Sequence, residues 1–307
     1  MKRTMRKDWK KEKSCHPVLR LSSGTITLLD RHHNLAEAMF ALPPGGSFCA
    51  QYNPDHAKVE RYTLVSGAMD FEHNGQRMEM KIGETVDASL CSKVITFYAL
   101  SKAEVMIHMD APFYERNFFE MQLLQREMDA VAQVDGYTYH HCDRIRQYAI
   151  EVWKKFDRPA ANLKLMRWGA YFHDIGKLAI PSDILNKPGS LTAEEWDIMK
   201  SHSQRGADML RNHPVEWLRE AAYIVEQHHE RFDGKGYPFG LKGEEISLEA
   251  SIVSVVDAFD AMTTDRVYKE AMPLEEALNE LIKGKGIQFH PAVVDVFVEY
   301  MKEQAVR

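Results

Sequence analysis

The sequence predicts a two-domain chain: an all-β barrel over residues 21–112, a connecting helix over 113–134 and an all-α bundle over 135–307. Three observations carry this expectation. Up to Pro112 the apolar pattern is short and broken by turn signals. Beyond it, apolar residues recur at helical steps. A chain of 307 residues, 45% of them hydrophobic and 27% charged, is long and apolar enough for two cores and is not a disordered one.

Residues 1–13 carry seven Lys/Arg against two acids, with no apolar stretch of the kind a secretory signal needs, so 1–20 reads as a flexible basic tail. Residues 24–29, 92–100 and 103–109 read as strands. Turns are marked at 43–46, 53–55 and 82–84, and Asn74-Gly75 between two alternating segments predicts a type I′ hairpin. Phe118, Met121, Leu124, Met128 and Val131 then step at three and four residues, giving one amphipathic helix through 115–134. Its stripe suits either a parallel dimer contact or packing on the body of the chain. Further helices are expected at 163–172, 192–212, 215–229, 247–262 and 273–283. The run Thr192-Ala193-Glu194-Glu195 is a capping box, and Pro273 sits at a helix start.

A net charge of −6 argues against duplex nucleic acid as a partner. No apolar run approaches the roughly 18 residues of a membrane helix. Cys15, Cys49, Cys91 and Cys142 are scattered without a CxxC pair, as expected for reduced thiols in a cytoplasm.

The histidines point to chemistry. Eight of the 14 fall at or after residue 140. His173-Asp174 ends an apolar helix, and Lys177 follows one turn later on the same face. His202 and the pair His228-His229 come next. Asp257 then interrupts an apolar run, where a carboxylate is costly unless paired or metal-bound; His141 lies earlier in this half. Together His141, His173, Asp174, His202, His228, His229 and Asp257 offer seven N/O ligands, too many for one ion and suited to two. The absence of thiolate favours iron or manganese over structural zinc. Asp174 is the natural bridge, a hydroxide between the two metals the expected nucleophile, and a phosphoester the expected substrate. Two such ions, roughly 3.5–4 Å apart, stabilise both the attacking and leaving oxygens.

These residues resemble the HD-GYP family of cyclic di-GMP phosphodiesterases, a branch of the HD-domain hydrolases. The likeness covers about 135–299. It runs through His173-Asp174-Ile175-Gly176-Lys177, then residues 185–192, then His228-His229-Glu230-Arg231-Phe232-Asp233-Gly234-Lys235-Gly236-Tyr237-Pro238 and Val256-Asp257-Ala258-Phe259-Asp260-Ala261. It implies metal ligation by the seven residues above, with Asp174 and Lys177 catalytic. It also implies substrate contacts from Lys177, Arg266, Lys269 and Tyr237. The loop Gly236-Tyr237-Pro238 is implied to shape the pocket and meet GGDEF-type or other signalling proteins. Members with a third metal carry Glu one turn before the first ligand; Tyr137 stands there, so two metals are expected and linear pGpG rather than GMP as product. Another cyclic dinucleotide such as cyclic GMP-AMP, or a non-catalytic signalling scaffold, is the alternative reading.

In the β-rich half, His56-Ala57-Lys58-Val59-Glu60 with Gly67 resembles the first cupin motif. One histidine is replaced by Pro54, and that of the second motif is missing near Val86. The resemblance implies a cupin-like barrel with a regulatory role rather than a metal enzyme, because two ligands are too few.

Overall fold

The structure is a computed structural model, and it describes residues 18–21, 23–32, 34–50, 59–91, 94–134, 139–156, 162–265 and 271–305. The chain separates into two compact units, Met1–Gln125 and Arg126–Arg307.

The strands of the first unit are β1 (Val18–Leu21), β2 (Gly24–His32), β3 (Leu35–Leu42), β4 (Ser47–Ala50), β5 (Glu60–Ser66), β6 (Met69–His73), β7 (Gln76–Met80), β8 (Thr85–Asp87), β9 (Ile95–Ala99) and β10 (Ala103–Asp110). They form two antiparallel sheets, ordered β1-β2-β3-β10-β5-β8 and β4-β9-β6-β7. The alternation of a half-buried strand decides which face is inside. Ala36, Ala38, Phe40 and Leu42 of β3 and Ala103, Val105, Ile107 and Met109 of β10 are buried. Val105 lies opposite both Phe40 and Leu64. The Phe48 ring stacks on Phe97 at 4.6 Å and Tyr62 meets Phe97 at 5.1 Å, an aromatic centre between the sheets.

This is the expected all-β domain, built as two facing sheets rather than a closed cylinder, since no ladder joins the edge strands among the described residues. Asn74 and Gly75 both have positive φ (54° and 74°), as a type I′ turn requires. Residues 18–20, expected in the basic tail, belong to β1, where Val18 pairs with Thr27 and buried Leu19 faces inward. Residues 1–17, including Cys15, lie outside the described residues, as do Pro54 and His56.

The helix α1 (Ala111–Val134) follows β10 directly, two residues before the expected start. Tyr114 belongs to the β core and Phe118 packs against it, so this part of the stripe is covered by its own chain. The second unit continues with α2 (Tyr139–Lys154), α3 (Asn162–Tyr171), α4 (Ser182–Leu185), α5 (Ala193–Lys200), α6 (His202–Arg211), α7 (Glu216–Glu220), α8 (Ala222–Gln227), α9 (Leu248–Thr263), α10 (Leu274–Gly284) and α11 (Pro291–Ala305). It is an all-α bundle around α9, whose Ile252, Val253, Val255 and Val256 are fully buried. The single helix expected over 192–212 is two, broken at Ser201, and that over 215–229 is two, broken at Ala221. The Thr192 capping box is present. No helix among the described residues is long and apolar enough to cross a membrane.

Candidate metal centre

Helix ends supply the site. The last carbonyls of a helix have no intrahelical donor. Three histidines sit just past such an end and use one. His173 follows α3 and donates from Nδ1 to the Ala170 carbonyl at 2.9 Å. His202 follows α5, at the Ser201 break, and donates to Met199 at 2.7 Å. His228 follows α8 and donates to Val225 at 2.6 Å. Each bond orients its ring and leaves Nε2, which carries the lone pair of the neutral imidazole, free for a ligand.

His141 lies in the first turn of α2 (Tyr139–Lys154). Its Nδ1 meets Asp260 Oδ2 at 2.7 Å. Asp260 is clamped in turn by Arg144, with Nε at 2.5 Å and Nη2 at 2.9 Å. Burial would raise the Asp260 pKa, but hydrogen bonds from His141 and Arg144 hold it down to about 2. Asp260 and Arg144 escaped the sequence reading. Asp260 stands inside the quoted motif, yet its partners are 116 and 119 residues away.

The lone pairs converge. Asp174, His202, His228 and His229 form one group of possible ligand atoms, and His141, His173 and Asp257 a second, each group lying within 4.8 Å. Asp174 faces both. Its Oδ2 is 3.2 Å from His173 Nε2, while its Oδ1 is 3.3 Å from His202 Nε2 and 4.0 Å from His228 Nε2. Asp257 Oδ1 lies 3.8 Å from His173 Nε2 and 3.9 Å from His141 Nε2. Lys177 Nζ meets Asp174 Oδ2 at 2.8 Å.

This constellation fits divalent metal. Among the described residues, the Nε2 atoms of His173, His202 and His228 are buried without an aligned hydrogen-bond partner, a costly arrangement unless a cation takes them. Burial, then the neighbouring imidazoles, holds His228 well below its usual pKa and His229 at about 3, and burial lowers His202. All three are therefore neutral, as ligation requires. Burial would also depress His173, but the Asp174 and Asp257 charges push it up to about 9, so these acids draw positive charge into the centre. Burial opposes ionisation of Asp174 as well, and the Lys177 charge followed by that of His173 keeps its carboxyl well below the usual range.

Two backbones meet closely to allow this. A Cβ on Gly176 would collide with the His202 carbonyl oxygen and the Gly206 nitrogen, so α6 can cross the turn after Asp174 only over glycine. That crossing carries His202 to Asp174. Tyr237 lies over the same group, its ring 4.8 Å from that of His229 and inclined by 36°. Burial, with the Asp174 charge, keeps its phenol protonated. Arg266, Lys269 and Tyr137 lie outside the described residues. His213 is buried, and its Nε2 lies 2.9 Å from Glu127 Oε1.

A model of the HD domain matches residues 125–293, more than half of the chain. The chain belongs to the HD-domain family. Within it, His173-Asp174 and Gly236-Tyr237-Pro238 make this an HD domain of the HD-GYP kind. The chain is similar to a cyclic di-GMP phosphodiesterase of Thermotoga maritima, with 33% identity over 257 residues, 81% of this chain and 70% of that one. It is similar to the cyclic di-GMP phosphodiesterase response regulator RpfG of Xanthomonas campestris, with 38% identity over 179 residues, 58% of this chain and 47% of that one. The 3′3′-cGAMP-specific phosphodiesterase 2 of Vibrio cholerae is 32% identical over 182 residues, 59% of this chain and 35% of that one. The HD-domain chain thus spans less than half the length of the last two relatives.

Proposed function

We propose that this HD-domain protein is a phosphodiesterase that opens cyclic di-GMP to linear pGpG at a centre of two iron or manganese ions. The observation that supports this most is Asp174, whose two oxygens face separate groups of imidazoles. In this reading His202, His228 and His229 would hold one ion, His141, His173 and Asp257 would hold the other, and Asp174 would serve both. When bound, two such ions supply an activated water and stabilise charge on the attacking and leaving oxygens of a diester.

The chain's own groups do the rest. The imidazoles, pinned through Nδ1, keep their Nε2 lone pairs in place without reorganisation. Lys177, one turn past Asp174, offers its ammonium to a non-bridging phosphate oxygen, with Arg266 and Lys269 as further phosphate contacts. The Tyr237 ring, laid beside His229, offers a flat apolar surface for a guanine. With Tyr137 in place of an additional carboxylate, two metals and one cleavage follow. The β unit acts as a regulatory domain, α1 carries its signal and a homodimer contact, and the Gly236-Tyr237-Pro238 loop meets GGDEF-type or other signalling partners in the cytoplasm.

The test is to load purified protein anaerobically with Fe(II) or Mn(II), incubate it with cyclic di-GMP and separate the products. Formation of pGpG, absent in Asp174→Ala, is expected. The similarity to a cGAMP-specific enzyme favours one second reading, a mixed GMP–AMP ring as substrate. Parallel incubation with that ring decides by relative kcat/KM. No turnover of either ring, with metal bound, would leave a signalling scaffold.

A further inference from the structure

The loop that carries Tyr237 has no regular secondary structure to fix it, yet one buried side chain gathers three of its amides. Glu230 is 2% exposed. Its Oε1 accepts from the Phe239 N–H at 2.7 Å and the Gly240 N–H at 3.1 Å, and its Oε2 accepts from the Leu241 N–H at 3.0 Å. Successive amides aimed at one point form an anion-binding concavity. Here the anion comes from the chain itself.

Two contacts tie that plug to the ring. The Tyr237 N–H donates to the His229 carbonyl at 3.3 Å, so the loop turns back over the residue preceding Glu230. Gly236 passes so close that a Cβ there would collide with the Arg231 nitrogen and the Glu230 Cα. The far side of the loop is held separately, by the bridge between Asp233 and Lys242 and by the Gly243 N–H on the Phe232 carbonyl at 3.0 Å. Removing the carboxylate therefore frees the stretch between Tyr237 and Leu241 without opening the loop at its base.

We propose that Glu230 is a positioning residue that sets the Tyr237 ring over the metal centre by ordering the 239–241 amides. The reading rests on the substrate contact assigned to Tyr237 above. The Glu230 carboxylate itself touches neither substrate nor metal.

Two measurements on the full chain test it, one of them independent of turnover. In hydrogen exchange, the amides of Phe239, Gly240 and Leu241 are expected to be protected in the parent protein and to exchange at least tenfold faster in Glu230→Ala, with metal content unchanged. Equal exchange rates would overturn the proposal whether or not the protein is a phosphodiesterase. In kinetics, Glu230→Ala is expected to raise KM for cyclic di-GMP about tenfold with a smaller change in kcat. In a Tyr237→Ala background the same substitution is expected to change KM less than twofold, since coupled residues are non-additive. Independent, multiplying effects would show that Glu230 does not act through Tyr237. A parent protein without turnover would sink the phosphodiesterase reading and leave the exchange result to judge the plug. Glu230→Gln, which keeps one carbonyl acceptor, is expected to retain protection at Phe239 and Gly240 better than at Leu241; uniform loss across all three would mean that the site collapses rather than loosens.

Discussion

Asp260 and Lys177 serve the same centre in different ways. Asp260 reaches no position open to substrate; it holds His141 through Nδ1 and is itself gripped by Arg144. Such partners of metal-binding histidines are worth about 10–100-fold in metal affinity. Asp260→Asn is therefore expected to weaken one metal site by that factor while the other stays filled, which metal titration with elemental analysis reads directly. Lys177 meets Asp174 Oδ2 at 2.8 Å and carries the phosphate contact proposed above. Lys177→Ala is expected to keep its metal and lose about 10²–10³ in kcat, the usual cost of removing one charge-stabilising donor. Unchanged kcat would remove Lys177 from the mechanism. Lys177 was legible because it stands three residues from Asp174, a spacing that any helical turn brings together. Asp260 was not, because a contact across 119 residues leaves no local mark in a single chain.

The elements that position the ligands were read well in type and less well in continuity. Periodicity located α3, α9 and α10 to within a residue or two, and the Asn74-Gly75 turn to the residue. It merged α5 with α6 and α7 with α8, because the apolar steps continue across Ser201 and Ala221. Those breaks matter: the first ends α5 at the point where the Met199 carbonyl meets His202. The crossing of α6 over Gly176 is the matching feature on the other side. Gly176→Ala forces backbone against backbone, with no flexible side chain to give way. Overpacking of this kind costs about 3 kcal/mol, to be read as a lower urea midpoint of the metal-free protein. An unchanged midpoint would show that the turn can move away from α6, and with it Asp174 from His202.

At the scale of the whole chain, the two units respond to different variables. Metal binds the folded helical unit, and ligand at about 1,000 times its dissociation constant adds about 4 kcal/mol. Chelation is thus expected to lower the helical unit's thermal transition by several degrees and leave that of the β unit in place, as calorimetry resolves. The β unit answers to pH. Glu60 faces inward, with the Tyr62 hydroxyl donating to its Oε1 at 2.5 Å and its Oε2 buried without a partner among the described residues. Burial raises its pKa from the ordinary 4.5, against the pull of that hydrogen bond. The folded carboxyl keeps its proton to higher pH than the unfolded one. The stability of this unit is then expected to fall as pH rises from about 4.5 through the raised value. Glu60→Gln should flatten that slope and add about 1–3 kcal/mol near neutral pH. A slope that survives the substitution would assign it to another group. The helix-end histidines have a consequence of a different kind. A point mutation cannot delete the main-chain oxygens that steady His173, His202 and His228, whereas the acid that steadies His141 is a single codon. Drift and engineering alike are left with one adjustable screw, the Asp260–Arg144 couple, by which one end of the cluster can be retuned while the other keeps its grip.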